Sequence, residues 1–150
     1  MEDVQDMSGS TARRFIITLA GAAALAGAWV SPPVAQERTI EDGVYTSEQA
    51  ARGRAAYREQ CSACHADNLL GGEMAPGLVG SGFIGGWSGE TLWNFADFTN
   101  ATMPQDAPGR LTAEQLNDVI AFILEANEYP AGTEELAIDL ASEGAPVLIQ

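Results

Sequence analysis

Apolar positions along the chain fall into three helical patterns and one continuous run. Leu116, Val119, Ile120, Ile123 and Leu124 recur at spacings of three and four, with Phe122 beside them, and define one face of a helix. Thr112 supplies its cap, Gln115 completes a capping box, and Pro130 and Gly132 lie beyond its end, so the pattern predicts a helix running to about Asn127. This stripe reads as core packing and carries no chemistry of its own. An earlier, weaker stripe of Ala50, Gly53, Ala56 and Tyr57 predicts a helix capped at Thr46 or Ser47, with Thr46 and Gln49 in capping-box spacing, and running to about Glu59. Gly53 costs this helix about 1 kcal/mol relative to Ala. Close approach of the later helix at Gly53 and Tyr57 is the expected reason for it. A third helix begins at Ser88 or its neighbour and passes through Leu92, Trp93, Phe95 and Phe98, whose bulky faces suit a pocket wall. Between these patterns, residues 69–86 read as glycine-rich loop and residues 100–109 as a second loop.

The continuous apolar run covers residues 15–30, after Arg13-Arg14 and before Ser31-Pro32-Pro33-Val34-Ala35. That order reads as a signal peptide, with cleavage expected after Ala35. The alternative is an uncleaved anchor, although the run is shorter than the roughly 20 residues that span a bilayer. Glu2, Asp3 and Asp6 are unusual in a basic leader, which makes Met7 a candidate start. The expected organisation is a signal peptide over 1–35, a linker over 36–46, one domain over 47–130 and an acidic C-terminal extension over 131–150. The extension is expected as a docking arm, a strap on the domain or a disordered tail. The expected location is the bacterial periplasm, either free or anchored to the membrane facing it, with membrane contact only if the leader is uncleaved.

Charge narrows the partners. The chain has no lysine, seven arginines and 21 acidic residues. Without residues 1–35 it keeps five arginines and 18 acidic residues, a net charge of −13. No nucleic acid is expected to bind such a surface.

Candidate chemistry is concentrated in Cys61-Ser62-Ala63-Cys64-His65, which holds both cysteines and the single histidine of the chain. A structural zinc site needs about four ligands, and no further Cys or His remains to complete one. A thioredoxin-like pair would sit beside a βαβ pattern, which the flanks lack. A disulfide alone would leave His65 unexplained. The spacing fits covalent capture of haem: two thiols add to the vinyl groups at one porphyrin edge, and the following histidine ligates the iron. One haem c is therefore the expected cofactor, and a core this small is expected to fold poorly without it. With no second histidine and no lysine, the sixth ligand reduces to Met74 or Met103, or to an open position. Met74 lies nine residues after His65 and could in principle travel around the ring, whereas Met103 sits on a separate loop before a proline that holds its backbone extended.

Gly53, Tyr57, Cys61, Cys64, His65, Pro76-Gly77-Leu78, Met103-Pro104 and the last helix together resemble the class I c-type cytochromes over residues 47–130. The resemblance implies an all-α class I cytochrome c fold. About three to five short helices and glycine-rich loops would surround one covalent haem, with N- and C-terminal helices packed together. It implies that the Pro76 carbonyl accepts the Nδ1 proton of His65, that Met103 rather than Met74 joins His65 on the iron, and that Leu78, Trp87 and Phe95 line the pocket. Trp87-Ser88-Gly89, Met103-Pro104 and residues 121–127 look most like the single-haem cytochromes and haem domains that serve periplasmic quinoprotein dehydrogenases.

A histidine/methionine haem implies a one-electron carrier between redox partners rather than an enzyme. The alternatives are a fixed electron-transfer subunit of a quinoprotein (alcohol-type) dehydrogenase, or a ligand-binding or peroxidatic haem protein with an open distal site. Expected partners are redox proteins with a basic docking face, such as a quinoprotein dehydrogenase or a terminal oxidase. The exposed haem edge is expected to be framed by Ser62, Ala63, Leu70, Ala75 and Pro104, with Asp67, Glu73, Asp106 and Arg110 nearby.

Overall fold

Helices alternate with irregular connections, and the two ends of the described residues meet in a short sheet. A computed structural model describes residues 37–150. In chain order its elements are β1 (Arg38–Thr39), a 3₁₀ turn (Ile40–Asp42), α1 (Ser47–Gln60), α2 (Ser62–His65), α3 (Ser81–Trp87), α4 (Leu92–Thr102), α5 (Ala113–Ala126) and β2 (Val147–Leu148). The expected signal peptide, the alternative anchor and the expected cleavage point lie outside the described residues. Among the described residues, no helix is long and apolar enough to cross a membrane.

Helix α5 is specified locally. Thr112 Oγ1 accepts from Gln115 N–H at 3.1 Å, and Gln115 Oε1 accepts from Thr112 N–H at 3.0 Å, the reciprocal cap its sequence predicts. Its apolar stripe is buried, with Ile120 and Leu124 fully so. Helix α1 packs against it where Gly53 meets the Asp118 carbonyl, too close for any side chain. One turn on, the Tyr57 and Phe122 rings lie 5.3 Å apart at 59°, a tilted aromatic pair that continues the same seam. Thus the N- and C-terminal helices of the domain pack together.

Four expectations change. Residues 81–87, expected as loop, form α3, because Phe83 packs into the core and carries a helix with three glycines that propensity alone disfavours. The next helix is capped by Thr91 rather than begun at Ser88; Thr91 Oγ1 accepts from Asn94 N–H at 3.1 Å, while Ser88 is the C-cap of α3. The segment 37–46 is no free linker: Ile40, Val44 and Tyr45 are buried in the core. At α1 the Thr46 hydroxyl caps Gln49 N–H, but the Gln49 amide turns away from a reciprocal cap. It binds Leu136 N–H at 2.7 Å and Leu136 O at 2.8 Å instead.

Residues 131–150 lie along the domain as a strap. Asn117 holds Ile138 through both amide groups, at 2.9 and 3.2 Å. Arg52 bridges buried Asp118 at 2.9 Å and strap residue Glu135 at 2.9 Å. At its end β2 pairs in parallel with β1, Arg38 opposite Val147 and Thr39 opposite Leu148.

Candidate haem site

Cys61 closes α1 and caps the single turn of α2. Its carbonyl accepts from Cys64 N–H at 3.1 Å and His65 N–H at 3.0 Å, so one turn brings both thiols and the imidazole together. Ala66 then breaks the helix with φ of 63° and ψ of 158°, a positive-φ extended conformation that costs a non-glycine residue about 1–3 kcal/mol. The Tyr57 hydroxyl donates to the Ala66 carbonyl at 2.7 Å and holds that bend from α1.

The loop beyond folds back on itself through Gly71 N–H to His65 O, Gly72 N–H to Ala75 O and Leu78 N–H to Leu69 O, at 3.1, 2.9 and 2.7 Å. A Cβ on Gly71 would lie 2.5 Å from the Gly77 nitrogen, and φ there is 73°, so this turn requires glycine on both counts. The result is that the Pro76 carbonyl stands 2.9 Å from His65 Nδ1. Because a carbonyl only accepts, Nδ1 carries a proton, and in the neutral ring the lone pair is therefore on Nε2. Asn127 pins the same loop from the end of α5, donating to Leu78 O and accepting from Gly80 N–H, each at 2.9 Å.

Cys61, Cys64, His65, Pro76, Leu78, Trp87, Phe95 and Met103 all line one cavity of about 930 Å³. Its size falls in the range of about 300–1,000 Å³ usual for cofactor sites. The aromatic wall is built by α3 and α4: Trp87 lies 4.7 Å from Phe95 and 5.3 Å from Phe98, and Phe83 backs Phe95 at 5.5 Å. Met103 is the C-cap of α4, half-buried and extended at φ −121° and ψ 152°, as its position before proline predicts. Met74 also borders the cavity but is 78% exposed.

Several lining residues were not read as such from the sequence. Val119 and Ile123 of the α5 stripe reach the cavity, and so do Gly82, Gly86 and Thr99. The readable signal was Gly82 and Gly86, one helical turn apart, where helix-disfavouring residues repeat on one face. Conversely, Leu92 and Trp93 do not join the wall. Leu92 is in the core, and the Trp93 indole N–H donates to Asp139 O at 3.2 Å on the strap side.

Of the expected rim, Ala63, Ala75 and Pro104 border the cavity, with Pro104 buried, while Ser62 and Leu70 do not. Asp106 and Arg110 border it and pair with each other at 3.1 Å; Asp67 and Glu73 stand off it. Burial pushes the Cys61 thiol up to about 11, with Arg110 pulling the other way, so a free thiol here stays neutral at pH 7.

The family model described as cytochrome C oxidase, cbb3-type, subunit III matches residues 48–123. The chain belongs to this family. It is accordingly a c-type cytochrome of all-α, class I cytochrome c fold, an electron-transfer protein whose domain implies haem c. Searches of curated proteins and of solved structures each found no match.

The residues fit that group. Two thiols and a histidine with its Nε2 lone pair free converge at one end of an apolar, aromatic-walled cavity. A Cβ on Gly86, which lines this cavity, would meet no atom within 4 Å, so the backbone of α3 leaves room for a flat molecule to lie against it.

Proposed function

We propose that this cytochrome carries one electron at a time in the periplasm, with one haem bound through thioethers at Cys61 and Cys64 and ligated by His65 Nε2 and Met103 Sδ. The observation that carries the reading is the 2.9 Å contact of His65 Nδ1 with Pro76 O. It fixes the tautomer, orients the ring and raises the basicity of Nε2. When bound, the haem supplies the one-electron couple, and a histidine/methionine pair favours its ferrous form. The chain's own contribution is to hold His65 by Pro76, to shield the site with Trp87, Phe95, Val119 and Ile123, and to deliver Met103 from the end of α4.

The proposed partners are redox proteins with basic docking faces. The likeness of residues 87–89, 103–104 and 121–127 to quinoprotein-associated cytochromes supports a quinoprotein dehydrogenase as donor. The family's own description, a subunit of a cytochrome c oxidase, supports a second reading in which the domain is fixed within an oxidase or dehydrogenase complex. Co-purification of a stoichiometric partner separates that reading from a diffusible carrier.

The ligand set is tested by Met103→Ala and Met74→Ala in the haem-loaded protein. Met103→Ala is expected to stay folded, lose its methionine-to-iron charge-transfer band, bind carbon monoxide and fall in potential. Met74→Ala, at a 78% exposed position, is expected to match wild type. The opposite pattern assigns the ligand to Met74.

A further inference from the structure

Met103 caps one end of α4, and the last residues of the chain hold the other. Gly89 N–H donates to Ile149 O at 2.7 Å, and Ile149 N–H donates to Glu90 O at 2.9 Å. Leu148 forms an antiparallel bridge with Thr91, the N-cap of α4. The Ile149 side chain is fully buried. The other edge of this terminal segment is β2 paired with β1, and Tyr129 OH donates to Gln150 O at 2.8 Å. Among the described residues, no hydrogen bond joins α4 to α1 or α5. Apolar contact, which is non-directional, therefore packs α4 into the domain, while the directional bonds that tie its start to the rest of the fold come from the strap, at Asp139 for the Trp93 indole and at the terminal segment for Gly89 and Glu90.

We propose that Ile149 is a positioning residue for Met103. Its buried side chain locks the terminal strand onto Gly89, Glu90 and Thr91, which sets where α4 begins. A helix of 11 residues, roughly 16 Å long, then carries that position to its far end, where Met103 stands. The strap thereby couples the domain's N-terminal segment to the ligand-bearing wall of the haem site. The inference rests on Met103 as axial ligand for its effect on the iron, but the mechanical link from Ile149 to the end of α4 is a property of the chain itself.

The test uses haem-loaded, full-length protein carrying Ile149→Ala, Ile149→Val or Leu136→Ala. Leu136 is buried at the opposite end of the strap, against Gln49, and provides a control of comparable size. Ile149→Ala is expected to speed amide exchange in residues 99–103 by about tenfold. It should also weaken the methionine-to-iron band and open the ferrous protein to carbon monoxide. Ile149→Val should restore most of both signals. Leu136→Ala should lower overall stability while leaving the band and the exchange at 99–103 near wild type.

Unchanged exchange and band in Ile149→Ala, or the same change in Leu136→Ala, overturns the proposal. If wild type itself lacks the band, the ligation reading falls, and the positioning role is then decided by exchange alone. If Ile149→Ala fails to fold, Ile149→Val decides: about twofold faster exchange confined to α4 supports the role, and none refutes it.

Discussion

Gly53 of α1 lies directly against the carbonyl of Asp118 on α5, and a Cβ placed there would also come within 3.0 Å of the Phe122 Cβ. The crossing of the two helices therefore has no room for a methyl group. Gly53→Ala gains about 1 kcal/mol of helix propensity. It must then push apart two backbones, an overpacking cost of about 3 kcal/mol, at the upper end of the usual range because the clash is with backbone atoms. The expected outcome is a net loss of about 2 kcal/mol in denaturant titration of the haem-loaded protein. A variant as stable as wild type would mean that the helices do not meet at this point.

Gly86 makes the contrasting case. Its Cβ would meet no atom of the chain, yet it faces the cavity. Gly86→Leu is expected to be harmless to the protein framework but to reach into the space where the porphyrin lies against α3. Haem content per protein, read from absorbance after purification, should fall several-fold, while Gly85→Leu, off the cavity lining, should load normally. Normal loading of Gly86→Leu would remove α3 from the haem site.

Tyr57 introduces a pH dependence. Burial, with smaller contributions from Cys61 and Asp67, pushes its hydroxyl from 10.0 up to about 12. The folded state thus favours the neutral phenol, so its stabilising effect is complete below pH 10 and is lost as pH rises towards 12. Tyr57→Phe loses the 2.7 Å bond to Ala66 O, at a cost of about 0.5–1.5 kcal/mol near neutrality. Thermal unfolding measured across that range should show the wild-type curve falling more steeply and approaching the variant. Parallel curves would refute the role of the buried hydroxyl.

Asp106 and Arg110 neutralise each other beside the cavity, so long-range steering is left to acids that have no ion-pair partner among the described residues: Glu59 on the cavity lining, and Asp67 and Glu73 off it, all exposed. Association with a basic partner should slow as the Debye length shortens from about 30 Å at 0.01 M to about 8 Å at 0.15 M salt. Asp67→Lys with Glu73→Lys should slow it further at low salt, and Glu134→Lys reports whether the strap contributes. Stopped-flow rates indifferent to salt would reduce the acidity to surface solvation.

The sequence by itself determined the parts of this protein that are local. Helix α5 could be read because Thr112, Gln115 and the apolar stripe all act within one or two turns. The attachment pentad could be read because its chemistry depends on adjacent residues and on the absence of any other Cys or His. Gly53 gave away a helix crossing because a residue that weakens its own helix needs a reason outside it.

Tertiary structure decided whatever depends on a partner far along the chain. Helix α3 was hidden by Gly82, Gly85 and Gly86; it forms because Phe83 finds Phe95 and the core, which propensity cannot report. Gln49 has the spacing of a capping box, yet its amide is drawn to Leu136, 87 residues away, where two bonds in a buried setting replace one at the surface. The same holds for the ends of the domain. Residues 37–46 and 131–150 are polar enough to pass for linker and tail, and only their mutual pairing and the burial of Ile40 and Ile149 make them part of the fold. A few buried side chains at distant positions carry that outcome, and no local pattern marks them, because the surface each one covers is made by elements the sequence places elsewhere.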